Sequence, residues 1–202
     1  PVQLRTLYAA KNFYFEKVKR LLNNSFTLHD GNGGCDKVTL FAKNTIDIQI
    51  NRESTRYTLY TFHYNSIPYI LVGIHLPSNP SSNREERKNV IRDIVSDTIE
   101  LERQRKNDNT IIIGDFNASP FDEELIQKDA FNAVLYKQLI QTAETVTSGR
   151  KRYKRFYNPT TCYISENPPN YGSFYYGSGI NSLYWYCYDQ ALFRKSLIDT
   201  II

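Results

Sequence analysis

The stretch Thr110 to Pro120, TIIIGDFNASP, constrains the fold more than any other part of the chain. Thr110 to Ile113 are four consecutive β-branched residues, so this strand is apolar toward both of its faces. Such a strand belongs in the middle of a sheet, and the rest of the chain must supply its covers. Its end is unusual, because Gly114-Asp115-Phe116-Asn117 delivers an acid and an amide two residues apart. A purely structural turn is satisfied by glycine or asparagine alone. Neighbouring extended residues face opposite sides, so Phe116 is expected in the core, pointing away from the polar pair.

Candidate covers lie on both sides in sequence. SNPSSNREERKNVIRDIVSDTIELERQRK carries Val90, Ile91, Ile94, Val95, Thr98 and Ile99 as one apolar stripe, with acids in the first turn and bases in the last. It reads as a long helix whose polar face is solvated. Before it, KVTLFAK, TIDIQIN and RYTLYTFHY alternate with the period of half-buried strands. Asn65-Ser66-Ile67-Pro68 interrupts the chain ahead of YILVGIHL (Tyr69 to Leu76), and these strands are expected to form an antiparallel meander. Val2 to Leu22 has helical spacing, and His29 to Cys35 is dense in turn formers. Downstream, the pattern predicts a short helix over Asp122 to Gln127 and a second over Ala133 to Thr145. Long ordered loops over 148–180 and a final strand over Ser182 to Phe193 complete the reading. Strands on either side of one long helix predict an α/β (α+β) fold, a four-layer α/β/β/α sandwich of two mainly antiparallel sheets.

At 202 residues and 41% hydrophobic, the chain can bury one substantial core, so residues 1–202 read as a single domain. Cys35, Cys162 and Cys187 are odd in number and lack a CxxC pair, which predicts reduced thiols and a cytoplasmic location. No apolar run reaches bilayer length, and no signal-peptide pattern opens the chain, so membrane insertion is not expected. The net charge of +4 permits a phosphate-bearing partner. The chain opens on Pro1 and contains no methionine, which predicts that it is incomplete at its N-terminus.

Three strand ends place polar side chains where an apolar run stops: GIHLPS (Gly73 to Ser78), GDFNASP (Gly114 to Pro120) and YDQALF (Tyr188 to Phe193). GDFN after a buried strand, HLPS before it and a late strand bearing an Asp resemble the endonuclease/exonuclease/phosphatase superfamily. The order of elements matches from about Lys37 to Ile198. The run FYNP…PPNYGSFYY…YWYCYDQALFRKSL is similar to a bacterial subgroup with Asp-Gln in the last motif. The resemblance implies a divalent-metal phosphodiesterase, in which Mg²⁺ or Mn²⁺ assists a water that cuts a P–O bond.

By that resemblance Asp115 orients or deprotonates the attacking water, and Asn117 donates to the phosphate. His75 binds a phosphate oxygen or serves as an acid, and Asp189 ligates the metal or fixes its neighbour. The superfamily ends its last motif with Asp-His, whereas Gln190 follows Asp189 here; glutamine donates a hydrogen bond but exchanges no proton near neutral pH. The superfamily also draws an Asn and a metal-binding Glu from N-terminal strands that precede the first helix. No such strands are legible here, and Glu16, in a helical pattern, is a poor substitute. Ser78 and the basic run at Arg150, Lys151 and Arg152 are candidate substrate contacts, the latter interleaved with aromatics in GRKRYKRFY as suits a nucleic-acid backbone. The implied partner is a phosphodiester substrate such as nucleic acid. A phosphomonoesterase, a lipid phosphodiesterase and a non-catalytic phosphate-binding domain are the alternatives.

Overall fold

The computed structural model describes residues 17, 20–21, 25–29, 35–78, 84–162, 172–175, 177 and 185–201. Most of the helical pattern of Val2 to Leu22, Glu16 included, and the turn-rich residues 30–34 lie outside these. Lys17, Arg20 and Leu21 are in helical conformation.

The strand read from TIII is central, as its composition demands. It is β6 (Thr110–Asp115) in a seven-stranded mixed sheet of order β3 (Ile48–Glu53), β4 (Tyr57–Tyr64), β5 (Ile67–His75), β6, β13 (Asp189–Phe193), β10 (Phe156–Tyr157) and β7 (Ala133–Val134). The expected meander is β3 (Ile48–Glu53), β4 (Tyr57–Tyr64) and β5 (Ile67–His75), paired antiparallel in that order. Ile67 and Pro68 belong to β5 rather than interrupting the chain. Asn65 and Ser66 alone make the turn, at positive φ of 50° and 64°, the backbone that two-residue hairpins favour. Pro68 is tolerated because it lies beyond the pairing with β6, which begins at Ile70.

β5 and β6 run parallel, so the chain must return between them, and helix α1 (Arg84–Arg105) makes the crossover. Ile91, Ile94 and Leu101 of α1 are buried in one core with Ile70, Val72 and Ile74 of β5, and with Ile112 of β6. Leu192, of β13 (Asp189–Phe193), joins the same core. Ile99, placed in the stripe by sequence, is exposed. The polar face is not merely solvated: Arg87, Asp97 and Glu102 are buried, and two of them hold neighbouring elements together, as described below.

Three readings of the C-terminal half are corrected. The segment Ala133 to Thr145 is helical only over α3 (Lys137–Thr142), following the expected short helix α2 (Glu123–Ile126). Ala133–Val134 instead forms β7, recruited by parallel pairing with β10 (Phe156–Tyr157). Within 148–180, a ribbon of β8 (Thr145–Ser148) and β9 (Lys151–Lys154) replaces part of the expected loop. The last strand is divided into β12 (Trp185–Tyr186) and β13, and β12 pairs with β11 (Phe174–Tyr175). KVTLFAK contributes β2 (Leu40–Lys43), which leaves the meander to pair with β1 (Phe26–His29), a strand too short to be read from sequence. The described residues thus make a mixed α/β fold around one large sheet. Among them no helix is long and apolar enough to cross a membrane.

Candidate active site

Strand alternation decides which side chains can meet. Along β5 the buried Ile70, Val72 and Ile74 point toward α1, and His75 falls on the opposite face. The same alternation in β6 buries Ile112 and turns Asp115 outward, and in β13 it buries Leu192 and exposes Asp189. His75 is the register partner of Asp115 across the parallel pair, and Asp189 is its partner across the antiparallel pair. Three residues far apart in sequence therefore stand in one row, on one face, at one end of the sheet. His75 Nε2 lies 4.0 Å from Asp115 Oδ2, with the two side chains 40% and 32% exposed. Both remain open to a ligand while held by their strands.

The turn after β6 is built around Asp115. Its Oδ1 accepts from the Asn117 backbone N–H at 2.8 Å, an Asx turn. Asn117 takes a positive φ of 45°, and its Nδ2 donates to Leu76 O at 2.9 Å. One amide hydrogen thus ties the GDFN turn to the HLPS loop, and the amide carries a second hydrogen. Gly114 is required by close packing: a Cβ there would lie 1.9 Å from Ile74 O, at a φ of +147°. Phe116 is fully buried, as alternation predicts, edge-on to Phe131.

Sequence reasoning missed Arg87, whose side chain is 2% exposed. Its Nη1 donates to Pro77 O at 2.8 Å and to Asn117 O at 3.1 Å, so one guanidinium from α1 braces both motif loops. Nε is 3.5 Å from Glu124 Oε1, an ion pair without a hydrogen bond. The signal in sequence was faint, a single Arg in a helix read as solvated. Arg87→Lys is expected to cost about 1–3 kcal/mol, because an ammonium cannot reproduce the fork and leaves buried carbonyls unpaired. A lower urea midpoint at unchanged m-value would show it; an unchanged midpoint would deny Arg87 this role.

Gln190 is not brought to the row. Adjacent to Asp189, it must face the other side of β13, and it is buried there. Its Nε2 donates to Ala118 O at 2.6 Å and to Cys187 O at 2.8 Å, while Oε1 accepts from Asn158 Nδ2 at 2.8 Å. These bonds fasten the turn beyond Asn117 to β13 and commit the Gln190 amide hydrogens to backbone carbonyls. The same period-two rule that placed Phe116 sets Gln190 on the face opposite Asp189.

Arg150 lies in the turn of the β8–β9 ribbon, and Lys151 and Arg152 lie on β9. Lys154, at the base of that ribbon, pairs with Asp108 and Glu144, and Asp108 precedes β6 at the end opposite Asp115. From there β10 runs toward the site. Ser78 is exposed, just beyond the HLPS strand end.

Tyr188 was also missed. Its carbonyl accepts from the Phe116 N–H at 2.8 Å, which seats it beside the GDFN turn. Burial pushes its phenol above the ordinary value; Tyr186, Asp122 and Asp115 add to this and Arg87 opposes it. Burial likewise pushes up the Cys187 thiol, which disfavours the nucleophilic thiolate. A cleft of about 590 Å³, lined by Ile113, Asp189, Ala191, Phe193, Pro159 and Thr160, opens beside Asp189. A second, of about 340 Å³, borders His75 and Asp115.

Among the described residues, no three His, Cys, Asp or Glu side chains are grouped so as to hold a metal ion. The sheet offers instead a pair of register-matched carboxylates, Asp115 and Asp189. Like charges directly opposite on neighbouring strands are unfavourable, and a hard cation relieves them. Mg²⁺ commonly takes one or two carboxylates and fills its octahedron with water and substrate oxygens. The donor set fits that arrangement and not a closed protein cage.

No protein-family model matches the chain, and no curated protein matches it. Solved structures do. The human Nocturnin catalytic domain with bound sulfate anion is 12% identical, with a TM-score of 0.48 over 90% of this chain and 66% of that one. The TDP2 of D. rerio complexed with single strand DNA product is 12% identical, with a TM-score of 0.46 over 90% and 66%. The endonuclease domain of TRAS1, a telomere-specific non-LTR retrotransposon, is 10% identical, with a TM-score of 0.43 over 80% and 60%. The chain spans less than two thirds of the length of each of these proteins.

Proposed function

We propose that this chain carries the catalytic face of a divalent-metal-dependent phosphodiesterase, nuclease-like in its chemistry, of the endonuclease/exonuclease/phosphatase type and its two-sheet sandwich. The observation that carries this reading is the row His75–Asp115–Asp189 on one sheet face, with Asn117 pinned beside it. Phosphoryl transfer asks chiefly for positioning and for charge stabilisation at oxygen, and rigid strand ends supply the first. Asp115, fixed at the end of β6, orients a water and accepts its proton. Asn117 presents its second amide hydrogen to a non-bridging oxygen, since the first is committed to Leu76 O. His75 contacts a phosphate oxygen or protonates the leaving oxygen. Asp189 would hold Mg²⁺ or Mn²⁺, and the bound cation would supply neutralisation of the phosphate charge. Gln190 supports the turn.

The test is hydrolysis of bis(p-nitrophenyl) phosphate and of an oligonucleotide by the full-length protein with Mg²⁺ or Mn²⁺. Chelation with EDTA is expected to abolish turnover. Asn117→Gly keeps the positive φ while deleting the amide, and is expected to lower kcat by about 10²- to 10³-fold with little change in KM. Turnover that survives both EDTA and this substitution would sink the reading.

A further inference from the structure

The turn that carries Asn117 rests on a pair of buried carboxamides. Gln190 is 4% exposed, and Asn158, the residue after β10, is 0% exposed. Their bonds form a relay of fixed polarity. The Thr160 N–H donates to Asn158 Oδ1 at 3.1 Å, Asn158 Nδ2 donates to Gln190 Oε1 at 2.8 Å, and Gln190 Nε2 donates to Ala118 O at 2.6 Å. Each amide can be turned only one way. The Asn158 oxygen is taken by a backbone N–H, so its nitrogen faces Gln190. The Gln190 oxygen is taken by that nitrogen, so its own nitrogen faces the turn. The second Gln190 hydrogen goes to Cys187 O at 2.8 Å. The Asn158 N–H donates to Val134 O at 2.9 Å, which ties Asn158 to β7. Ala118 O is the carbonyl next to Asn117 O, which Arg87 holds at 3.1 Å.

We propose that Asn158 and Gln190 are positioning residues that set the orientation of Asn117 toward a phosphate; in that respect the inference rests on the function proposed above. Two apolar side chains would join β10 to β13 without desolvating any amide. A buried amide pair instead fixes a direction, and this one delivers donors, not acceptors, to the carbonyl beyond Asn117. Asn117 stands at a positive φ of 45°, which sterics disfavour for residues with a Cβ. Its place is therefore kept by bonds. Its N–H goes to Asp115 Oδ1 and its Nδ2 to Leu76 O, while Arg87 takes its carbonyl and Gln190 takes the next. Turning the Gln190 amide over would set oxygen against oxygen at Ala118 and push the turn out of place. A displacement of about 1 Å at a positioning group costs about 10²-fold in rate.

Two substitutions at Asn158 separate polarity from packing. Asn158→Asp keeps the shape but presents an acceptor to Gln190 Oε1, so the Gln190 amide turns over to donate to it. Asn158→Leu only removes the donor and leaves Gln190 bonded to both carbonyls. In the full-length protein with Mg²⁺, Asn158→Asp is expected to lower kcat for bis(p-nitrophenyl) phosphate by about 10²-fold at nearly constant KM, and Asn158→Leu by only about 10-fold. A merely structural contact predicts equal losses, since both variants lose the same bond. Amide hydrogen exchange, followed by NMR without substrate, reads the turn itself. Exchange of the Asn117 N–H is expected to quicken by at least about tenfold in Asn158→Asp, with that of Ile112, in the middle of β6, unchanged. Gln190→Met deletes both donors at similar length and is expected to quicken Asn117 in the same selective way, which keeps the test decisive where a buried carboxylate prevents folding. Unchanged exchange at Asn117, equal quickening of Asn117 and Ile112, or equal kcat losses for the two Asn158 variants of an active protein would overturn the proposal. Selective quickening in a protein without hydrolase activity would retain the relay and remove the catalytic reading.

Discussion

Asp115→Asn is expected to lower kcat/KM for phosphodiester hydrolysis by about 10³-fold, within the range a positioned general base contributes. The substitution isolates charge from architecture. Asparagine keeps an oxygen for the Asn117 N–H that Asp115 Oδ1 accepts at 2.8 Å, so the turn that aims Asn117 survives. What is lost is the negative charge and the ability to take a proton from water. Folding stability should hold or rise slightly, because Asp115 stands opposite Asp189 in the antiparallel register and removing one of two facing charges relieves repulsion. Activity and a thermal melt measured on the same preparation separate the outcomes. Lost activity at an unchanged or higher melting temperature is the expected pair. Lost activity with a marked fall in melting temperature would make Asp115 a structural residue, and undiminished activity would remove it from the mechanism.

That opposition of activity and stability also explains which parts of the site were legible in sequence. Asp115, Phe116 and Asn117 could be placed because strand alternation and turn chemistry are local rules. The requirement for Gly114 is not local, since it comes from the approach of Ile74 O on the neighbouring strand, although the residue itself was visible in the motif. Alternation likewise sets Gln190 on the face opposite Asp189, where its amide fastens the turn. The segment from Ala133 to Thr145 shows a failure instead, a local pattern overridden by tertiary pairing. Ala133 and Val134 are drawn into the sheet edge by Phe156 and Tyr157, and Thr145 and Val146 into a ribbon by Lys154 and Tyr153. Their β-branched content was a signal that helical spacing obscured. Arg87 could not be found at all from one sequence, because its partners are backbone carbonyls of two distant loops.

The same blindness to long-range polar pairing hid the other end of the sheet, where the largest stability effect is expected. Glu102→Ala should destabilise the fold by about 3–5 kcal/mol, the cost of breaking a buried ion pair from one side. Glu102 Oε1 accepts from Arg194 Nε at 2.8 Å and from Thr110 Oγ1 at 2.7 Å. Arg194 follows β13, is 1% exposed, and lies over the Phe156 ring at 3.7 Å. Its Nη1 donates to Arg155 O at 3.1 Å. Helix α1, β6, β13 and the segment entering β10 are therefore joined through one guanidinium. Alanine at 102 leaves that cation and the Thr110 hydroxyl buried without their acceptor, which costs more than the pair itself contributes. The double substitution Glu102→Leu with Arg194→Met removes both charges, and it should recover much of the loss seen with Glu102→Ala. Urea titrations of the three proteins measure the difference, and equal midpoints for the single and double variants would refute an uncompensated charge as the cause. Because this cluster and Asp115 occupy opposite ends of β6, residual activity per folded molecule should be unchanged in Glu102→Ala. Asp115→Asn and Glu102→Ala are then complementary: one removes chemistry while sparing the fold, and the other weakens the fold while sparing the chemistry.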